Sequence, residues 1–315
     1  MTVGVTGGTG FIGTTLVRRL AAEGCKVRLL TRQPDVHQKF PQGVEFIHGN
    51  LNAKAELLRQ FVAGVEVLYH CAAEINDPGK MVSTNVEGTR NLANVAAGSI
   101  RHWVQLSSID TYGTQTDGII TEDTPKGRLN FYEQTKIEAE NIVIHAAAKH
   151  GFTYTILRPS KVYGPEMRNQ LLFKLISFID RGCFFFIGRP GTSANYVHVD
   201  DVVESLILGG SHPASRNRDY NLSNYCSMEE LIAIISSALG KPMPTWRIPE
   251  NLARVVANMT KFMPNNLLTI QRVNAMVKRA RYSTARIEVE LGYRHRVSMK
   301  DGLEQLVLKW LGNVG

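Results

Sequence analysis

The nine residues Val5–Gly13, reading VTGGTGFIG, constrain the fold more tightly than any other part of the chain. Thr2–Thr6 has the character of a short buried strand. Residues 11–23 place Ile12, Leu16 and Leu20 on one face and Arg18 and Arg19 off it, which predicts a helix. Between the two lie Gly7, Gly8, Thr9 and Gly10. A strand, a glycine turn and a helix N-terminus form an anion cradle. The first backbone amides of the helix have no partner within it, and its dipole is positive at that end. Gly7, Gly10 and Gly13 fit GxxGxxG, with glycine letting the backbone approach a pyrophosphate and Gly13 letting the helix pack tightly on the sheet. Residues 26–30 (KVRLL) read as the next strand, which completes a dinucleotide-binding βαβ unit. That strand runs into Thr31 and Arg32. An acidic residue here takes ribose hydroxyls, whereas arginine suits a 2′-phosphate. NADP(H) is therefore the expected cofactor, with NAD(H) as the alternative.

Further strand-like runs at 44–47, 66–70, 102–106 and 153–157 alternate with helical stretches at 53–62, 81–97 and 131–149. This alternation predicts an α/β fold, a Rossmann-type doubly wound parallel sheet covered on both faces. After about residue 160 the pattern changes. Short strands at 196–198, 220–222 and 246–248 lie among helices at 227–239 and 251–262, punctuated by Pro242, Pro244, Pro249 and Pro264. The expected division is a cofactor-binding domain over 1–165, joined by later strands around 196–222, and an interleaved, smaller mixed α/β substrate lobe over 166–315.

Tyr132 and Lys136 stand four residues apart on one face of a predicted helix. A tyrosine hydroxyl titrates near 10. A lysine ammonium on the same helix face, together with a nicotinamide cation, is expected to favour the phenolate, and such a tyrosine passes a proton to or from a substrate oxygen. The strand at 102–106 ends in Ser107 and Ser108, where a parallel sheet faces its ligand crevice. Ser108 is placed to hold the reacting oxygen beside Tyr132.

Taken in order, these motifs resemble the extended short-chain dehydrogenases/reductases, the NAD(P)-dependent epimerase/dehydratase group. VTGGTGFIG matches the cofactor turn, including Thr9, Phe11 and Ile12. HGNLN matches the adenine segment, with Asn50 and Leu51 where the family has Asp-Leu. HCAA matches the fourth-strand end with Cys71, Ala72 and Ala73, and NVEGTRNL the helix with its structural Asn85. SSIDTYG and YEQTK match the serine strand and the tyrosine–lysine pair. LRPSKVYGP matches the stretch whose backbone holds the carboxamide through Pro159, Ser160 and Val162. The resemblance implies that Ser108, Tyr132 and Lys136 are catalytic, with Ser107 at the cofactor. Ser108, Ile109, Asp110 and Lys161 face the substrate. Ile109 stands where dehydratases of the family carry an acid, so dehydration is not expected. Lys161 replaces the asparagine common in nucleotide-sugar enzymes, and suits an anionic substrate. Three readings stay open: epimerisation of a nucleotide-sugar, NADPH-dependent ketone reduction of the dihydroflavonol or hydroxysteroid type, and a cofactor-binding redox sensor without turnover. The family also implies a homodimer built on the helices at 81–97 and 131–149.

Composition narrows the rest. The formal charge is +8, but the basic residues are scattered apart from a patch at 272–286, so nucleic acid is not expected as a partner. Residues 271–281 read as a solvated helix face, with a membrane-surface helix as the rival. Four separated cysteines and histidines without ligand spacing point to no metal. His70 reads as structural, Asp200 and Asp201 as helix caps, and the aromatic run 184–186 as core or pocket wall. No apolar run is long enough for a transmembrane segment, and no signal sequence precedes the first strand, so a cytoplasmic location is expected.

Overall fold

A computed structural model describes residues 1–126, 130–167, 171–260 and 268–314. Seven parallel strands form the main sheet. Their order is Arg218–Leu222, Thr153–Pro159, His102–Leu106, Val67–His70, Thr2–Thr6, Lys26–Thr31 and Glu45–His48. The chain leaves Thr2–Thr6 in one direction and returns to its other side at Val67–His70, so the switch point lies between them. Ligands of doubly wound sheets bind at the C-terminal edge of that point.

Two apolar clusters cover the sheet. On one face Leu16, Val17 and Leu20 of the Phe11–Ala22 helix pack with Val202, Val203 and Leu206 of the Val199–Ser211 helix. On the other, helices Ala55–Val62, Gly88–Ala96 and Phe131–His150 contribute Leu58, Phe61, Leu92, Ala93 and Val143 around Trp103. The strand positions therefore read as continuous apolar runs, because both faces are buried.

The 196–222 stretch divides in two. Arg218–Leu222 pairs with Thr153–Pro159 and joins the main sheet. Ser193–His198 does not. It pairs with Lys161–Tyr163 and Asn224–Ser227 in a separate three-stranded sheet. That sheet roofs a third core, in which helices Leu171–Asp180, Met228–Ala238 and Met299–Val314 bury Leu172, Ile176, Leu231, Ile235 and Leu303. Phe11, the first residue of the glycine-turn helix, packs against this third core, so the cofactor turn and the lobe share a wall.

The predicted helix at 81–97 is interrupted. Pro78–Met81 leads into a wide π-type turn over Val82–Glu87, and the α-helix resumes at Gly88–Ala96. Such widening commonly marks a functional site. The predicted helix at 271–281 runs only over Ile270–Val277, and Lys278 continues in extended conformation.

Candidate active site

The C-terminal strand ends gather the chemistry. Gly7 follows Thr2–Thr6 with φ +70°, and a Cβ there would lie 2.5 Å from the Ala72 amide at the neighbouring strand end. A Cβ on Gly13 would lie 2.3 Å from the Gly7 carbonyl oxygen. The turn is closed by the Gly10 amide donating to that carbonyl (3.0 Å), and Gly10 caps the helix without any side chain. Backbone approaches this close exclude side chains and leave the first helical amides for an anion. Thr9, Phe11 and Ile12 are half-buried around the turn. At the end of Lys26–Thr31, Arg32 is exposed, and Thr31 Oγ1 accepts from the Gln33 amide (3.1 Å). Asn50 is exposed and caps the Asn52 amide (2.8 Å), while Leu51 is buried. Cys71 and Ala72 are half-buried and Ala73 exposed. Pro159 and Ser160 are buried and Val162 half-buried. The Ser160 Oγ has no hydrogen-bond partner among the described residues. The side-chain-free turn and this unpaired hydroxyl at a strand end fit a bound dinucleotide.

The reacting groups sit beside the cradle. An Asn130–Glu133 capping box starts the Phe131–His150 helix, which sets the register of Tyr132 and Lys136. Lys136 is buried, and its Nζ donates to the Leu106 carbonyl at the serine-strand end (2.7 Å). Burial lowers its pKa to about 8, against the opposing pull of Glu140. Burial, with Asp110 and Glu133 adding to it, holds the Tyr132 phenol well above its ordinary value. Lys136 directs its ammonium to a carbonyl instead, and is not among the groups acting on the phenol. Ser108 caps the short turn Ile109–Tyr112, accepting from the Asp110 amide (3.1 Å) and donating to its carboxylate (3.0 Å). Ile109 is buried, Asp110 and Lys161 are exposed, and the Lys161 ammonium lies 5.7 Å from the Tyr196 ring centre.

His70 is structural, and its tautomer follows from its partners. Thr89 Oγ1 donates to the Asn85 carbonyl (2.6 Å), so it accepts from His70 Nε2 (3.0 Å). His70 Nδ1 then accepts from Thr6 Oγ1 (2.6 Å). Burial, with Lys136 adding to it, lowers the His70 pKa to about 3, which keeps the ring neutral. The chain continues from Asn85, which holds the Glu74 amide (2.7 Å) and donates to Thr135 (3.1 Å), whose hydroxyl bonds the Tyr132 carbonyl (2.8 Å). Hydrogen bonds thus link the glycine-turn strand to the tyrosine helix.

Sequence reasoning missed a buried charge network behind the serines. Ser107 Oγ donates to Glu140, which Arg158 grips through two nitrogens at 2.9 and 2.8 Å. Arg158 also reaches Tyr112 (3.0 Å) and Asp219, and Asp219 accepts from Arg286 (3.1 Å). Glu140 follows Lys136 by four residues, so its place on the same helix face was readable; its arginine, from another strand, was not. The expected caps also need correction. His198 caps the Val199–Ser211 helix, its Nδ1 accepting from the Asp200 amide (3.3 Å). Asp201 is buried and accepts instead from the Arg296 amide (2.6 Å). Among the described residues no group of three or more metal-ligating side chains gathers, and no helix is long and apolar enough to cross a membrane.

Comparison with known proteins agrees with this geometry. The family model described as NAD dependent epimerase/dehydratase matches residues 3–223. The chain is 31% identical over 268 residues to sterol demethylase protein B of Methylococcus capsulatus, covering 82% of this chain and 80% of that protein. It is 31% identical over 263 residues to a putative dihydroflavonol 4-reductase of Synechocystis, covering 78% and 74%. Among solved structures, gox2253 matches with TM-score 0.80 at 26% identity, covering 100% of this chain and 98% of that one. A Bacillus cereus UDP-glucuronic acid 4-epimerase in complex with NAD matches with TM-score 0.77 at 20% identity, covering 100% of both chains, a likeness of fold alone.

Proposed function

Because the chain belongs to the NAD-dependent epimerase/dehydratase family of extended short-chain dehydrogenases/reductases, we propose that it is a reductase acting on a ketone of a small molecule, with NADPH preferred over NADH. When bound, the reduced nicotinamide supplies hydride to the carbonyl carbon. Gly7, Gly10 and Gly13 admit the pyrophosphate, Ser160 and Val162 lie at the carboxamide end, and Arg32 meets the 2′-phosphate. Ser108 orients the carbonyl oxygen, and Tyr132 gives it a proton as negative charge develops there. Lys136, one turn further along the helix, orients the nicotinamide ribose.

The observation that carries the direction is the apolar neighbourhood of Ser108. The apolar cluster of Ile109, Tyr112, Ile120, Ala280 and Tyr282 beyond Ser108 supports a carbonyl substrate with an apolar body. The names of relatives by sequence, a farnesyl-quinoline-oxide ketoreductase and a 2-alkyl-3-oxoalkanoate reductase among them, lean the same way. Such names, with the tyrosine–lysine pair retained, favour turnover over a binding-only sensor.

A second reading, epimerisation of a nucleotide-sugar, draws on Lys161 and Lys278. Both ammonium groups act on one another or on Asp110 across the site mouth, and neither has an ion-pair partner among the described residues. Such cations suit a phosphorylated substrate. One assay separates the two. Stoichiometric loss of nicotinamide absorbance with a ketone panel supports reduction, whereas UDP-sugar interconversion without net absorbance change replaces it with epimerisation. The homodimer inferred from the two helices is part of the same proposal, and native mass spectrometry counts its subunits.

A further inference from the structure

The lobe carries an apolar face that stands exposed among the described residues. The Glu250–Met259 helix buries only small side chains, Ala253 and Ala257, against Ile187 and Val273. Its large apolar side chains point the other way. Leu252, Val255, Val256 and Met259 fall at i, i+3, i+4 and i+7, one continuous stripe, and are 53%, 53%, 38% and 77% exposed. Trp246, just ahead of the helix, is 80% exposed. Trp246 also lines a cavity of about 670 Å³ walled by Phe184, Phe185 and Met243. An amphipathic helix built to be buried on one side only would place polar residues on this stripe.

Charge says what covers it. Residues 241–286 contain nine Lys and Arg against one acid, Glu250, so this stretch alone carries a formal +8, equal to that of the whole chain. Lys241, Arg247, Arg254 and Arg286 are engaged by acidic residues. Arg279, Arg189 and Arg181 have no acidic partner among the described residues, and they lie toward the start of the helix and Trp246. Arg279 donates only to the carbonyls of Arg189, Pro190 and Val277. Arg189 itself is exposed, next to Gly188, which abuts Glu250 at the start of the helix. Arg181 lines the same cavity as Trp246 and is exposed. A second copy of this face would bring like charges together, which disfavours self-association. A surface of anionic headgroups over hydrocarbon matches both halves. It attracts the arginines, accepts the aliphatic stripe, and seats a tryptophan at its boundary.

We propose that the Trp246–Met259 face docks this protein peripherally on anionic lipid membranes. The test is co-sedimentation of the purified full chain with phosphatidylcholine vesicles, with and without about 30% phosphatidylglycerol. Two variants accompany it, Leu252→Ser/Met259→Ser and Trp246→Ser. These side chains are largely exposed, so folding should survive, checked by thermal unfolding and NADPH binding. The expected result is binding to the anionic vesicles only, weakened about tenfold or more by either variant and by raised salt, with NADPH affinity unchanged. Absence of binding to anionic vesicles overturns the proposal. So does binding that the variants leave intact. A wild-type oligomer that the variants convert to monomer would assign the face to a second copy instead, and equally overturns it.

Discussion

At the residue scale the site is a set of protonation states fixed by burial. Tyr132→Phe removes the one proton donor the reading requires, so kcat should fall at least about 100-fold while NADPH binding measured by fluorescence persists. A variant retaining full turnover would remove Tyr132 from the mechanism. Lys136 is charged below about pH 8 and neutral above it. Since the ammonium is the form that holds the nicotinamide ribose, the reductive rate should decline on the alkaline side of about pH 8, and a rate rising through pH 9 would contradict that role. Arg32 has no ion-pair partner among the described residues. Arg32→Ala should raise KM for NADPH about tenfold or more and leave KM for NADH nearly unchanged. Equal loss with both cofactors would make Arg32 irrelevant to the 2′-phosphate.

At the element scale, the tyrosine helix is positioned at its start and at its middle. The Asn130–Glu133 capping box fixes its start, and the Glu140–Arg158 pair clamps its middle to the Thr153–Pro159 strand and, through Ser107, to the serine strand. Burial alone would push the Glu140 carboxyl up; Arg158 and Ser107 outweigh it and hold the carboxyl below its ordinary value. Arg158→Met leaves that carboxylate buried without its partner. It should cost about 3–5 kcal/mol of unfolding free energy, measured by urea titration. A loss under about 1 kcal/mol would mean that water or Lys126 takes over the role.

For the whole molecule, the two histidines buried at the main sheet predict an acid limit. His70 and His102 have pKa values lowered by burial from 6.5 to about 3 and about 4. The unfolded chain therefore binds protons that the folded chain refuses. Stability is fully present above about pH 6.5 and falls as pH drops toward about 4, by up to about 1.4 kcal/mol per pH unit for each histidine. Unfolding midpoints that stay level from pH 7 to 4.5 would show that the rings accept protons in place. The lobe adds a different property at this scale, because its exposed apolar side chains, Trp246, Leu252, Val255, Val256 and Met259, are none of the residues of the catalytic edge.

What could be read from residue order alone is what repeats locally. The glycine spacing at Gly7, Gly10 and Gly13, the alternation of apolar strands with amphipathic helices, and the four-residue step from Tyr132 to Lys136 each depend on neighbours within one or two turns. Those readings agree with the fold found, to within a few residues at each boundary. The destination of Ser193–His198 was decided elsewhere, because a short strand's partner depends on which edge lies free in space. So was the wide turn at Val82–Glu87, where Asn85 leaves the helical ladder to reach Glu74 and Thr135. The high pKa of Tyr132 and the Glu140–Arg158 clamp likewise required tertiary structure. Burial and electrostatics sum over groups from several distant segments, and no local spacing encodes that sum.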